Sequence, residues 1–198
     1  MSSLPPLART VRRPAAAASA LALVLLAAPT ASAGTTGTTG LDNTWSCSVP
    51  AGYVYDQITA SSSCGTLPRY HLRTPVDGLT SCVTATGFVH DSTAMTRNCS
   101  MSSGSTNPSY RLRVPADLLT SCTSAASGFT YDLVRSIAAC SPAPGSTGYS
   151  YRLRTPAVGR WVCKVPAGWS YSATAATHDC SYGSLPGDTA TAYLLKTP

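Results

Sequence analysis

The chain has 198 residues, a formal net charge of +6, only 11% charged residues and no Glu. From residue 34 onward, 26 of 165 residues are Leu, Val, Ile or Phe, about 16%, and the charge falls to +3, with 11 Lys+Arg against 8 Asp. Such a chain is too weakly charged for wholesale disorder and too poor in aliphatics for a large core, so the 8 cysteines are expected to carry much of the fold.

Residues 1–33 read as a secretory signal peptide. Arg9, Arg12 and Arg13 form a positive start, residues 15–28 form an apolar run, and Ala31-Ser32-Ala33 is a small-residue cleavage pattern. The run is short for a bilayer span and no second run follows, so no transmembrane anchor is expected. Arg12-Arg13 leaves twin-arginine export open beside the general route. The Ala-rich, Lys-poor composition suits a high-GC bacterial source. Residues 34–43, rich in Gly and Thr, read as a flexible lead-in.

Four repeats follow, placed at 44–79, 80–119, 120–160 and 161–198. Each carries a first Cys, a turn with Gly, an aromatic, a second aromatic or His, a second Cys nine positions on, a loop, and then Y-x-L-[RK]-[TV]-P. First to second Cys is 17, 17, 18 and 17 residues, and Tyr to the next first Cys is always 12. Only the stretch from the second Cys to the Tyr drifts, at 6, 11, 11 and 13 residues. Constant spacing marks hydrogen-bonded structure and drifting spacing marks a loop tip. The units are therefore expected to be docked together, with variable tips.

An even number of cysteines, all inside repeats of an exported chain, predicts disulfides. Equivalent units should pair equivalently. This favours Cys47–Cys64, Cys82–Cys99, Cys122–Cys140 and Cys163–Cys180. The rival joins the second Cys of one unit to the first Cys of the next and leaves Cys47 and Cys180 to bond each other. No C-x-x-C pair or His pair supports zinc, and no metal or other cofactor is expected.

The predicted fold is all-β: four tandem, disulfide-tied β-hairpin-like repeats docked together. Gly52, Gly87, Gly128 and Gly168 are placed in turns that need positive φ. In the second repeat Tyr110, Leu112 and Val114 should share one strand face and Arg111 and Arg113 the other, with Pro115 ending the strand. Tyr70, Tyr110, Tyr151 and Tyr193 and the Leu two positions after each are the expected core. Trp45, Trp161 and Trp169 are large enough to cap or bridge units.

What recurs is structural, and the three histidines fall at different repeat positions, so no enzyme is expected. His90 stands where other repeats have Tyr. Two recurring surfaces could bind. One is cationic: Arg73, Arg111, Arg113, Arg152, Arg154 and Lys196. Against it stands the pairing of Arg73, Arg113 and Arg154 with Asp56, Asp91 and Asp132 of their own units, which in the fourth unit leaves Lys196 facing Ser172. The other surface is aromatic: Tyr53, Phe88, Phe129 and Trp169, each following a turn Gly, as sugar-stacking or partner-anchoring residues or as core. The small mature charge argues against nucleic acid. The functional expectation is a secreted, non-catalytic repeat protein binding cell-wall or extracellular glycan, or an extracellular protein. The alternatives are a hydrolase inhibitor presenting the variable loops, with Met101 in one of them, and a structural coat component.

Overall fold

The computed structural model describes residues 40–183, Leu185 and 187–197. Residues 1–33, read above as a signal peptide, and residues 34–39 of the expected lead-in lie outside these. Four small three-stranded antiparallel sheets follow one another along the chain. The first holds β1 (Thr44–Ser46), β2 (Val54–Ala60) and β3 (Pro68–Arg73). The second holds β4 (Thr80–Ser81), β5 (Val89–Thr96) and β6 (Asn107–Arg113). The third holds β7 (Thr120–Ser121), β8 (Thr130–Ile137) and β9 (Gly148–Arg154). The fourth holds β10 (Trp161–Val162), β11 (Ser170–Thr177) and β12 (Ala190–Lys196). The last strand of each repeat, carrying Y-x-L-[RK], is central, flanked by the short first strand and the long second one.

The hairpin expected from the sequence is therefore the larger part of each unit, and the short strand before the first Cys completes it. Two or three residues are too brief a pattern to read as a strand. Backbone bonds of each sheet also reach residues that precede the boundary drawn from the sequence. Asn43, Gly78, Leu118 and Gly159 each donate a backbone N–H to the carbonyl of Leu72, Leu112, Leu153 or Leu195 in the central strand of their own repeat. Asn43, in the segment read as a lead-in, is thereby bonded to the central strand of the first sheet.

All four disulfides join cysteines within a repeat: Cys47–Cys64, Cys82–Cys99, Cys122–Cys140 and Cys163–Cys180. Each ties the end of the short first strand to the segment that follows the long second strand. In the first three repeats that segment is a single 3-10 turn, Ser62–Cys64, Arg97–Cys99 and Ala138–Cys140. No cysteine is free, which fits an oxidising, extracellular environment. Among the described residues no helix is long and apolar enough to cross a membrane.

The core is one leucine deep. Leu72, Leu112, Leu153 and Leu195 are 0, 0, 0 and 1% exposed. The tyrosines two positions earlier are only half-buried. Each packs edge-on against the second aromatic of its own repeat: Tyr70 on Tyr55, Tyr110 on His90, Tyr151 on Tyr131 and Tyr193 on Tyr171, with centroids 4.9, 5.0, 5.0 and 5.1 Å apart. His90 thus fills the place of a tyrosine ring. Val114, expected on the face of Leu112, lies beyond the end of β6 and is exposed.

A β-bulge in every long strand explains how consecutive repeats dock. The register slips at Asp56, Asp91, Asp132 and Ser172, the residue after the second aromatic. In the first three repeats the carbonyl before the bulge accepts the N–H of the next repeat's first cysteine. Cys82 reaches Tyr55 at 2.8 Å, Cys122 reaches His90 at 2.7 Å and Cys163 reaches Tyr131 at 2.8 Å. Ser81 and Ser121 add their hydroxyls to the carbonyls of Tyr55 and His90. Among the described residues, substantial packing between repeats runs between sequence neighbours.

Gly52, Gly87, Gly128 and Gly168 have φ of +85, +82, +78 and +79°, as their turn position requires. Leu118 holds the same left-handed region at φ +66° in a position where two other repeats use Gly. Its side chain is exposed and contributes no core packing. Leu118→Gly is expected to stabilise the protein by about 1 kcal/mol, the usual cost of a bulky residue in this region less the entropy of glycine. Chemical denaturation midpoints of the two proteins check it, and a lower midpoint for the variant would contradict the strain.

Candidate binding surfaces

The bulge that docks the repeats also aims a carboxylate at the central strand. Asp56 accepts from Arg73 Nη1 at 2.8 Å and lies 2.6 Å from His71 Nδ1. Asp91 is gripped by Arg111 Nε and Nη2 at 2.6 and 2.9 Å and by Arg113 Nη1 at 2.7 Å. Asp132 accepts from Arg152 Nε at 2.7 Å and lies 3.4 Å from Arg154 Nη1. Burial pushes the Asp91 carboxyl up, but the hydrogen bonds and charges of Arg111 and Arg113 outweigh it and hold it below its ordinary range. The five arginines of the cationic strand face are therefore all engaged with carboxylates. Lys196, with Ser172 opposite in sequence, has no carboxylate partner among the described residues.

A second recurring carboxylate escaped the sequence reading. Asp42, Asp77 and Asp117 each accept the backbone N–H that follows the central strand, from Thr74, Val114 and Thr155 at 2.6, 2.8 and 2.8 Å. That bond is the leading reason their carboxyls are held below the ordinary value. All three stand five residues before the first Cys, a legible signal; the fourth repeat has Val158 there.

The aromatics after the turn glycines have mixed settings. Tyr53 is 9% exposed. Phe88, Phe129 and Trp169 are half-buried. Phe129 and Trp169, from consecutive repeats, line one groove of about 590 Å³ together with Pro156, Pro166 and Lys164. The small-residue turn Ser124–Gly128, with Thr130 and Ala167, completes its wall. The Thr130 hydroxyl donates to the Lys164 carbonyl and pins the two repeats together beside it.

A tyrosine cluster, also missed from the sequence, occupies the same junction. Tyr182 in the last variable loop meets Tyr149 edge-on at 4.9 Å and Tyr151 at 6.3 Å, and its hydroxyl lies 3.5 Å from that of Tyr131. Burial, and then the Tyr182 hydroxyl, pushes Tyr151 up to about 12, and the same causes raise Tyr131 further. No spacing rule connects a loop residue of one repeat to strands of another, so the sequence carried no signal for it.

The three histidines sit apart. His71 is bound to Asp56, with the Trp45 ring tilted against it at 5.1 Å between centroids. His178 Nδ1 lies 2.6 Å from the Asp188 carbonyl. His90 lies at the docking seam between the second and third repeats, its carbonyl engaged by Cys122 and Ser121. Burial holds its imidazole below the ordinary value, partly opposed by Asp91, and its Nδ1 is buried without a partner. A lowered folded pKa means the unfolded chain binds the proton more readily. Its contribution to stability is thus full above about pH 6.5 and is lost as pH falls through the lowered folded value. Melting between about pH 7.5 and about pH 5 should therefore show a loss of stability that His90→Tyr removes, since Tyr serves in the other repeats. An identical pH dependence in the variant would rule His90 out as its source.

Among the described residues no group of three or more His, Cys, Asp or Glu is placed to hold a metal ion. Met101 is exposed near the start of its variable loop, two residues after a disulfide-bonded cysteine. The chain matches no known family model, no curated protein and no solved structure.

Proposed function

We propose that the protein is exported and is a non-catalytic binder of extracellular or cell-wall glycan, held in the groove between the third and fourth repeats. The observation that carries this reading is the convergence of Phe129 and Trp169 in one groove beside Lys164. Aromatic faces stack on the C–H faces of sugar rings, and the seryl and backbone groups of the Ser124–Gly128 turn and the Lys164 ammonium match sugar hydroxyls. The cationic strand face serves this function less well, because its arginines are bound to Asp56, Asp91 and Asp132. The non-catalytic reading rests on the scattered histidines and on recurring carboxylates already held by arginine.

Retention on insoluble cell-wall and polysaccharide fractions tests the proposal. Trp169→Ala and Phe129→Ala should each weaken retention about ten-fold, as expected for an anchoring aromatic. Their thermal melts serve as the folding control. No retention of the wild type on any fraction at low salt, or unchanged retention in both variants, would exclude this groove as a glycan site.

A further inference from the structure

The two ends of the repeat array are complementary in the same terms that dock its interior. At each internal junction the earlier repeat offers the carbonyl before the bulge, and the later repeat offers the N–H of its first cysteine. At the third junction a further bond runs the other way, from the Val134 N–H of β8 to the Asp179 carbonyl just before Cys180, at 2.7 Å. The ring before the bulge is buried there: Tyr131 is 7% exposed.

In the fourth repeat the same strand is open. Tyr171, the equivalent of Tyr131, is 50% exposed, and β11 is exposed from Tyr171 through Ala176. The Tyr171 carbonyl and the Thr174 N–H, equivalents of Tyr131 and Val134, have no partner outside their own sheet among the described residues. In the first repeat the matching groups are also unused. Cys47, the equivalent of Cys82, Cys122 and Cys163, is exposed, and its N–H meets no acceptor among the described residues. Ser46 is half-exposed where Ser81 and Ser121 are 0% exposed. Ser63, just before Cys64, holds the place of Asp179.

The residue types at both ends are those of an internal junction rather than of a sealed terminus. Ser46-Cys47 repeats Ser81-Cys82 and Ser121-Cys122. Tyr171 and Thr174 correspond to His90 and Thr93, and the strand carrying that pair already docks a following repeat. Terminal repeats of such arrays usually carry a distinct polar outer face. An open strand edge is in addition a ready template for pairing.

We propose that copies of this chain associate head to tail, the first repeat of one copy docking on β11 of another as a continuation of the internal junction. The Cys47 N–H would donate to the Tyr171 carbonyl of the neighbouring copy, and that copy's Thr174 N–H to the Ser63 carbonyl. Because the two surfaces differ, the contact is heterologous and propagates an open array rather than closing a two-fold dimer. It is independent of the glycan reading.

Sedimentation velocity of the purified chain from about 10 µM to about 1 mM is the measurement, with no ligand present. The expected result is reversible association through dimer and trimer, the weight-average mass at least doubling over that range. Thr174→Glu places a charge where Val134 is buried at the third junction, and Ser46→Arg places bulk where Ser81 and Ser121 are buried. Both alter exposed or half-exposed sites, so wild-type melting temperatures are expected. Each variant alone should remain monomeric. Mixed, they should form a one-to-one dimer and nothing larger, since each retains the surface the other has lost. A wild type that stays monomeric to about 1 mM overturns the proposal, as does an association that both variants leave unchanged or a mixture that forms no dimer.

Discussion

Complete reduction of the four disulfides is expected to unfold this protein at room temperature. Each bond closes a loop of 17 or 18 residues, and in the chain-entropy model a loop of that size contributes about 3 kcal/mol. Small domains have total stabilities of about 5–15 kcal/mol. The hydrophobic contribution here is thin, because the largest side chains sealed from water are single leucines, one for each repeat. Circular dichroism melts before and after reduction in denaturant and exchange back to buffer measure the effect. A reduced, alkylated protein that retains the melt of the oxidised one would show that the bonds are dispensable. Intermediate loss, from replacing one Cys pair by Ser, is expected to be larger for Cys82–Cys99 and Cys122–Cys140 than for the pairs of the first and fourth repeats, since the second and third repeats have neighbours docked on both sides.

Leu112→Ala is expected to cost about 2–5 kcal/mol, the range for truncating a fully buried leucine. Leu112 is 0% exposed, and its backbone carbonyl and N–H are both engaged by the segment before β4, the carbonyl accepting from the Gly78 N–H and the N–H donating to the Leu79 carbonyl. The surrounding strands are therefore held against collapse into the space left, which keeps the cost toward the upper end. Leu194, one position before the equivalent residue of the fourth repeat, is the control: its side chain is not in the sealed set, and Leu194→Ala should cost much less. Urea denaturation of the two variants separates them. Equal losses would mean that burial of this leucine row does not hold the repeats.

The repeat, the disulfide pairing and the all-β character were legible in the sequence because each follows from spacing. A 17-residue interval kept in three of four units, with a constant 12-residue return, leaves within-unit pairing as the scheme that treats every repeat alike. The leucine row followed from the alternation of Y-x-L-[RK]. The strand's bound, and with it the exposure of Val114, did not follow, since alternation continues on paper past the last ladder bond. Local chemistry also indicated the positive-φ glycines, yet the left-handed Leu118 was invisible, because nothing in a leucine announces that conformation.

What only the tertiary structure decided lies between repeats. The β-bulge after each second aromatic turns a carbonyl outward to the next repeat's cysteine and sends Asp56, Asp91 and Asp132 back to the arginines of their own sheet. A sequence records that Asp and Arg recur, but not that one extra residue in a ladder lets a single site both dock a neighbour and neutralise a cation. Phe129 with Trp169, and Tyr182 with Tyr149, meet for the same reason. Their encounter depends on how one unit sits against the next, and that placement is set by backbone bonds to carbonyls, which every residue carries and no side-chain pattern marks.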